Sequence, residues 1–285
     1  MSKFIIYTDS SCDLSHEYMG KMNVRFSSLS YNFSAGTNGS DAKLSSKQFY
    51  DMLRKGGIAK TSAVNSQEFY DGFEKILKDG YDILYLGVSS ALSTTYNSAC
   101  IAAKALREKY PKRKIVTIDT LAISAGLGLI VDYIYRKKAE GANIDDATSL
   151  ANGIKDRLCH IFTVDDLNYL KRGGRISPAT AAVGSMLGIK PLLHVTRDGR
   201  LTSIGKVRGR HAAILALSKK YETNCTDQNE KIFIAHADCP KDADELYRIL
   251  KEKNPTCDIN VTNIGPVIGA HAGPGALALF FVGSK

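Results

Sequence analysis

Short apolar runs alternate along the chain with segments whose apolar residues recur at helical spacing, the pattern of an α/β fold. Phe4–Tyr7 predicts a first strand. Ile83–Val88 and Ile115–Ile118 are continuous runs of mostly Ile, Leu and Val, which predicts strands buried on both faces. Between them, Leu92–Lys109 predicts a helix with small residues on one face and charge toward its end. Such a strand–helix–strand unit builds a parallel sheet with right-handed crossovers. Ser46–Leu53, Glu68–Leu77, Ser124–Glu140 and Ile144–Arg157 predict further helices.

The pattern changes after about residue 158. Lys190–Val195, Leu201–Lys206, Lys231–Ala235 and Asp258–Ile264 predict strands, the first two joined through the hairpin signal Asp198-Gly199. Ser177-Pro178 predicts a helix start, with Ser as N-cap and Pro at the first helical position. The expected architecture is α/β: a Rossmann-like domain with a parallel sheet over residues 1–158, then a mixed α+β domain over 159–285, with a ligand between or within them. No internal repeat or low-complexity linker interrupts the chain.

Composition narrows the class. The 285 residues are 44 % apolar and 24 % charged, which excludes a disordered chain and a coiled coil. The longest apolar stretch, Ala276 to Val282, is far shorter than the roughly 20 residues of a membrane-spanning helix. The short apolar run at Met1–Tyr7 leads directly into Asp9 and does not fit a secretory signal, so a cytoplasmic protein is expected. Cysteines 12, 100, 159, 225, 239 and 257 contain no C-x-x-C pair, which argues against zinc and dithiol redox chemistry and for thiols in a reducing compartment. The net charge of +9 is spread among acidic residues, with no arginine-rich arm or nucleic-acid module; nucleic acid is not an expected partner.

Five segments stand apart from ordinary core or surface. Asp9–Ser15 (DSSCDLS) follows the first strand, where open α/β sheets place ligands; helix capping would explain the same residues. Lys60-Thr61-Ser62 precedes a helix capped by Asn65 or Ser66. Five hydroxyls fall within residues 89 to 95, more than one N-cap needs, and hydroxyls with helix amides suit an anion, phosphate and carboxylate alike. Tyr169–Ser177 sets two glycines between basic residues, a tight exposed turn that is either a solvated basic loop or a holder of carboxylate or phosphate. In Ile264–Leu277, four glycines and two prolines enclose His271, and glycine permits close approach to a ligand. No mononucleotide loop, H-E-x-x-H, G-x-S-x-G or metal-ligand cluster is present, which weighs against an independent enzyme.

Taken in order, these segments resemble the DegV family of fatty-acid-binding proteins across the whole chain. The most specific stretch is IGPVIGAHAGPGALAL at 264–279. DSSCDLS at 9–15, KTS at 60–62, SSALSTTYNSA at 89–99, YLKRGGRIS at 169–177, LGIKPLL at 187–193, DGRL at 198–201 and GKVRGR at 205–210 support it. The resemblance implies a two-domain α/β protein whose second domain closes a lipid pocket. It further implies the binding subunit of a bacterial fatty acid kinase, which holds a long-chain fatty acid while a separate kinase phosphorylates the carboxylate for phospholipid synthesis. By the same resemblance Thr61, Ser93 and His271 hold the carboxylate, with Ser62 and Gly273 close by. No metal, cofactor or catalytic residue is implied.

Two departures stand out. Ala63-Val64 follows the Thr-Ser pair where the family often has Gln-Pro, and Thr94 stands where it often has Gly. Both leave the donors in place and bear on the pocket mouth or on chain length. Two hydroxyls and an imidazole supply donors without a fixed positive charge, leaving a carboxylate oxygen able to attack a phosphoryl donor. Arg172 and Arg175 are the candidates for docking the kinase or steadying phosphate charge. The basic excess favours transient contact with anionic membranes, and a monomer is the default expectation. The competing reading is a stand-alone enzyme acting on a phosphorylated or acylated small molecule.

Overall fold

The computed structural model describes residues 3–34, 44–177, 188–226 and 231–284. Strands β1 (Phe4–Asp9), β2 (Arg25–Ser27), β5 (Asp82–Gly87) and β6 (Ile115–Asp119) pair in parallel in the order β2-β1-β5-β6. β3 (Ser30–Phe33) and β4 (Ala59–Ser62) form a separate antiparallel pair, with Tyr31 opposite Thr61. A six-stranded mixed sheet follows, in the order β11-β10-β12-β7-β8-β9: β7 (Leu158–Thr163), β8 (Ile189–Val195), β9 (Leu201–Arg208), β10 (Ile232–His236), β11 (Ile259–Asn263) and β12 (Leu277–Val282). The β8–β9 pair is the hairpin that Asp198-Gly199 predicts. The fold is thus α/β, a parallel sheet joined to a mixed one.

Successive strand residues point to opposite faces, and this alternation sorts the core into layers. Ile5, Tyr7, Ile83 and Tyr85 face α3 (Ser66–Lys78) and α4 (Thr95–Lys109). Phe4, Ile6, Leu84 and Leu86 face inward, toward α5 (Ala125–Ala139) and α6 (Ile144–Arg157). On the other side of α5 lie Phe233, Ala235, Ala278 and Phe280 of the mixed sheet. The far face of that sheet, with Ile234, Leu279 and Phe281, is covered by α8 (Arg210–Asn224) and α9 (Pro240–Lys253). Every residue of α5 from Ala125 to Asp132 is buried, as befits a helix enclosed between two sheets.

The predicted strands and long helices lie within a few residues of the observed ones. Caps fix several starts: Asn65 accepts from the backbone N–H of Glu68, and Asn143 forms a capping box with Asp146. The sequence pattern did not reveal β2, β3, β4, β7, β12, α8 or α9. Two segments differ from expectation. Residues 169–177 do not form a wholly exposed turn: Asn168–Arg172 is a helix, α7, and Leu170 and Ile176 are buried. The glycine-rich run contains helix α10 (Pro266–Ala272), whose proline supplies the first turn where no N–H partner is needed. Ser177 is exposed, and the helix start expected at Ser177-Pro178 falls on residues outside those described. Among the described residues no helix is long and apolar enough to cross a membrane.

Candidate ligand-binding site

The covered faces of the parallel sheet leave its C-terminal strand ends as the place where loops gather. Ser11 follows β1, Val88–Thr94 follows β5, and Ile123 and Ser124 follow β6; residues from all three loops line a cavity of about 480 Å³. The opposite wall is the inner face of the mixed sheet, with Phe162, Val195, Leu201, Ala278 and Phe280. A smaller cavity of about 280 Å³ adjoins it, lined among others by Lys60, Tyr169 and Arg172. Thr61, Arg175 and His271 line both cavities and so mark their junction.

At that junction the Thr61 hydroxyl and Nε2 of His271 stand 2.8 Å apart, a contact between residues 210 positions distant in sequence. β4 alternates sides, so Thr61 turns inward while Ser62 is exposed. α10 carries His271 and is fixed at its start by Asp13, whose Oδ1 accepts from the backbone N–H of Gly265 at 2.9 Å. Tyr50 donates to the carbonyl of Ile264 at 2.8 Å. Burial, and then the nearby Arg175 guanidinium, pull the His271 pKa down to about 4, so the imidazole is neutral near pH 7. Its Nδ1 is buried with no hydrogen-bond partner and faces Gly173, where a Cβ would stand only 2.1 Å away. When Nε2 carries the proton and donates to Thr61, the threonine hydroxyl keeps its own proton for a ligand.

Ser93 lines the same cavity. Its hydroxyl pairs with that of Thr95 at 2.9 Å and accepts from the Thr95 backbone N–H at the start of α4. Arg175 is half-buried rather than exposed; its Nε donates to the carbonyl of Leu92 at 3.1 Å. The junction therefore includes a fixed positive charge, which corrects the expectation of neutral donors alone. Arg172 is exposed and stacks over Tyr169, 5.0 Å from the ring centroid. Ser62 and Gly273 line neither cavity. Gly273 has φ +74° and packs against Tyr169, which leaves no room for a Cβ.

The DSSCDLS segment divides its labour. Asp9 caps the short turn Ser10–Cys12, and Ser15 caps α1 (His16–Lys21), as the capping alternative requires. Ser11 nevertheless faces the larger cavity. Burial raises the pKa of Asp9 and pushes that of Asp13 up to about 7; Ser124 and Gly265 hydrogen-bond to Asp13 and oppose the rise. The cavity also includes His160 on β7, which no sequence signal separates from a core histidine. Among the described residues no cluster of three His, Cys, Asp or Glu side chains is placed to hold a metal ion.

Residues 3–284 match a family described as "Uncharacterised protein, DegV family". The chain belongs to the DegV family. DegV domain-containing protein CPE0026 of Clostridium perfringens is 44 % identical over 286 residues, covering 99 % of this chain and 98 % of that protein. A DegV family protein from Thermus thermophilus, solved as a fatty acid binder, superposes with a TM-score of 0.87 at 26 % identity, covering 99 % of each chain. TM841 from Thermotoga maritima, whose structure is described as revealing fatty acid binding, gives a TM-score of 0.85 at 28 % identity, with 99 % of this chain and 100 % of that one covered. Fatty acid binding is thus documented for solved members of the DegV family.

Proposed function

We propose that this DegV protein encloses a long-chain fatty acid in the larger cavity and presents its carboxylate to a separate fatty acid kinase, which forms the acyl-phosphate used in phospholipid synthesis. The observation that carries the reading is the meeting of Thr61 and His271 at 2.8 Å where an apolar cavity opens onto a basic one. A buried carboxylate without partners loses several kcal/mol of hydration and tends to protonate. Thr61 and Ser93 supply donors, His271 turns the Thr61 hydroxyl toward the carboxylate by donating to it, and Arg175 beside them supplies charge. The tail gains about 0.8 kcal/mol per methylene removed from water, about 10 kcal/mol for a sixteen-carbon acid before association costs.

Arg172, exposed beside the smaller cavity, docks the kinase, and Arg175 steadies charge at the carboxylate during transfer. Catalysis belongs to the partner and the chain acts as a cytoplasmic monomeric carrier with transient contact to anionic membranes. Ser62 and Gly273 support the head-group strand and turn from outside the cavity.

Native mass spectrometry tests the reading. The purified protein carries an aliphatic acid adduct, and His271→Ala, which frees the Thr61 hydroxyl from the partner that turns it toward the carboxylate, weakens retention about tenfold, the loss of one hydrogen bond to a charged group. A wild-type protein that is empty and takes up neither palmitate nor oleate overturns the proposal. Acyl-phosphate formed from ATP by the purified chain alone would overturn the carrier role.

A further inference from the structure

The wall of the larger cavity is not uniformly apolar. Ser11 (1 % exposed), Ser124 (4 %) and His160 (2 %) line it, and none of the three lines the smaller cavity. They therefore lie away from the junction where Thr61, Arg175 and His271 meet. Each is a polar group beside space that would hold hydrocarbon, and a ligand that met one with a hydrogen bond would gain where plain alkyl chain does not.

While the carboxyls beside them are ionised, the serine protons are committed. Ser11 donates its hydroxyl to Oδ1 of Asp9, and that carboxylate also receives the backbone N–H of Ser11, the hydroxyl of Tyr85 and the backbone N–H of Val88. Four donors on two oxygens hold Asp9 as an acceptor and leave Ser11 no other role toward it than donor. Ser124 donates to Oδ2 of Asp13, whose Oδ1 takes the N–H of Gly265. With both carboxyls ionised the serines have a lone pair left to offer, and with a carboxyl protonated the serine can turn its own proton to a ligand; either way the matching ligand group is one that hydrogen-bonds, such as a hydroxyl. An alkyl chain has no such group.

The backbone adds an independent sign. Ser124 is held at φ +56° and ψ −148°, a conformation suited to glycine and costly for other residues. Glycine at this position would relieve the backbone, yet serine occupies it. Gly126, in the first turn of the same helix, abuts the His160 imidazole closely enough that a Cβ would stand 2.4 Å from its Nε2. The first turn of the helix thus packs directly against the imidazole.

Resting on the fatty-acid reading above, we infer that this cavity accepts long-chain acids that carry a hydroxyl on the chain, with Ser11 and Ser124 as the residues that select for it. The carboxylate remains at the junction, and the chain hydroxyl hydrogen-bonds to a serine. Ser11 and Ser124 are specificity determinants and take part in no bond-breaking step.

Competition between stearic acid and a series of hydroxystearic acids with the hydroxyl at successive positions tests the inference by native mass spectrometry. At least one mid-chain isomer should bind the wild type as tightly as stearic acid or more so. Ser11→Ala or Ser124→Gly should cut the preference for that isomer about fivefold, the loss of one neutral hydrogen bond. Circular dichroism spectra that match those of the wild type show that the variants keep their fold, and the readout is the ratio of hydroxystearic to stearic acid bound, which a general loss of affinity does not move. The inference falls if every hydroxylated isomer binds far more weakly than stearic acid, or if both variants leave the ratio unchanged. If neither stearic nor any hydroxystearic acid binds, the fatty-acid reading itself fails.

Discussion

The two sheets serve the cavity in different ways. The parallel sheet is sandwiched between helices, so it reaches the cavity only through the loops that follow β1, β5 and β6. The mixed sheet gives a whole face, and Phe162, Val195, Leu201, Ala278 and Phe280 come directly from its strands. The first arrangement delivers short polar side chains and backbone amides at a strand end. The second delivers a broad apolar wall. A ligand with a charged head and a greasy tail needs one of each, and the junction of the two sheets supplies both.

The contrast can be broken first at the wall. Ala278→Phe should fill space that about four methylenes would occupy, which at about 0.8 kcal/mol each weakens palmitate binding about a hundredfold. A short acid such as octanoate should still bind through the head-group site. Calorimetric titration of both acids checks this, and equal losses for the two would show that the wall and the head site are not separate.

A second substitution acts only at the polar end. Gly173 has φ −72°, which alanine accepts without strain, but its new Cβ would lie 2.1 Å from Nδ1 of His271. Gly173→Ala should displace the imidazole from Thr61 and weaken retention of long and short acids alike, by about tenfold. Unchanged retention would remove His271 from the site.

The smallest effect separates two titrating groups by sign. His271 has its pKa lowered from 6.5 to about 4 in the fold, so the unfolded chain takes up the proton first. Its share of stability is complete above about pH 6.5 and is lost as pH falls toward 4. Asp13 is raised from 3.8 to about 7, so the folded chain holds the proton first. Its share is complete below about pH 3.8 and is lost as pH rises through 7. Relative to wild type, His271→Ala should therefore give a Tm that declines more between pH 4 and 7, and Asp13→Asn one that climbs more. Thermal melts of lipid-free protein followed by circular dichroism decide this, and parallel curves for all three proteins would contradict it.

Legibility in the sequence followed the same division. β1 and β5 are continuous apolar runs because both faces are buried, so their pattern needs no partner to be recognised, whereas β6, expected to be buried on both faces, stands at the sheet edge with only Ile115 and Ile118 buried. β12 is as apolar, LALFFV, but a run of six fits a buried strand or part of a helix equally, and only its pairing with β7 and β10 decides. α9 carried an unused signal: Pro240 at its first turn, followed by Ala243, Leu246 and Leu250 at helical spacing. In the site, the hydroxyls of the strand-end loops were visible as an excess over capping needs. The role of Asp13 was not, because its partners Ser124 and Gly265 lie 111 and 252 residues away. Arg175 read as exposed because two glycines precede it, whereas buried Leu170 and Ile176 draw that segment against the core.

Helix α5 has a consequence for how the molecule can be divided. Its inner and outer sides serve as a party wall: one side belongs to the parallel sheet, the other to Phe233, Ala235, Ala278 and Phe280. A cut after Arg157 would strip the helix of half its neighbours and leave a greasy stripe facing water. Neither fragment would inherit a finished building, and a split protein would have to reassemble before the cavity regained both of its walls.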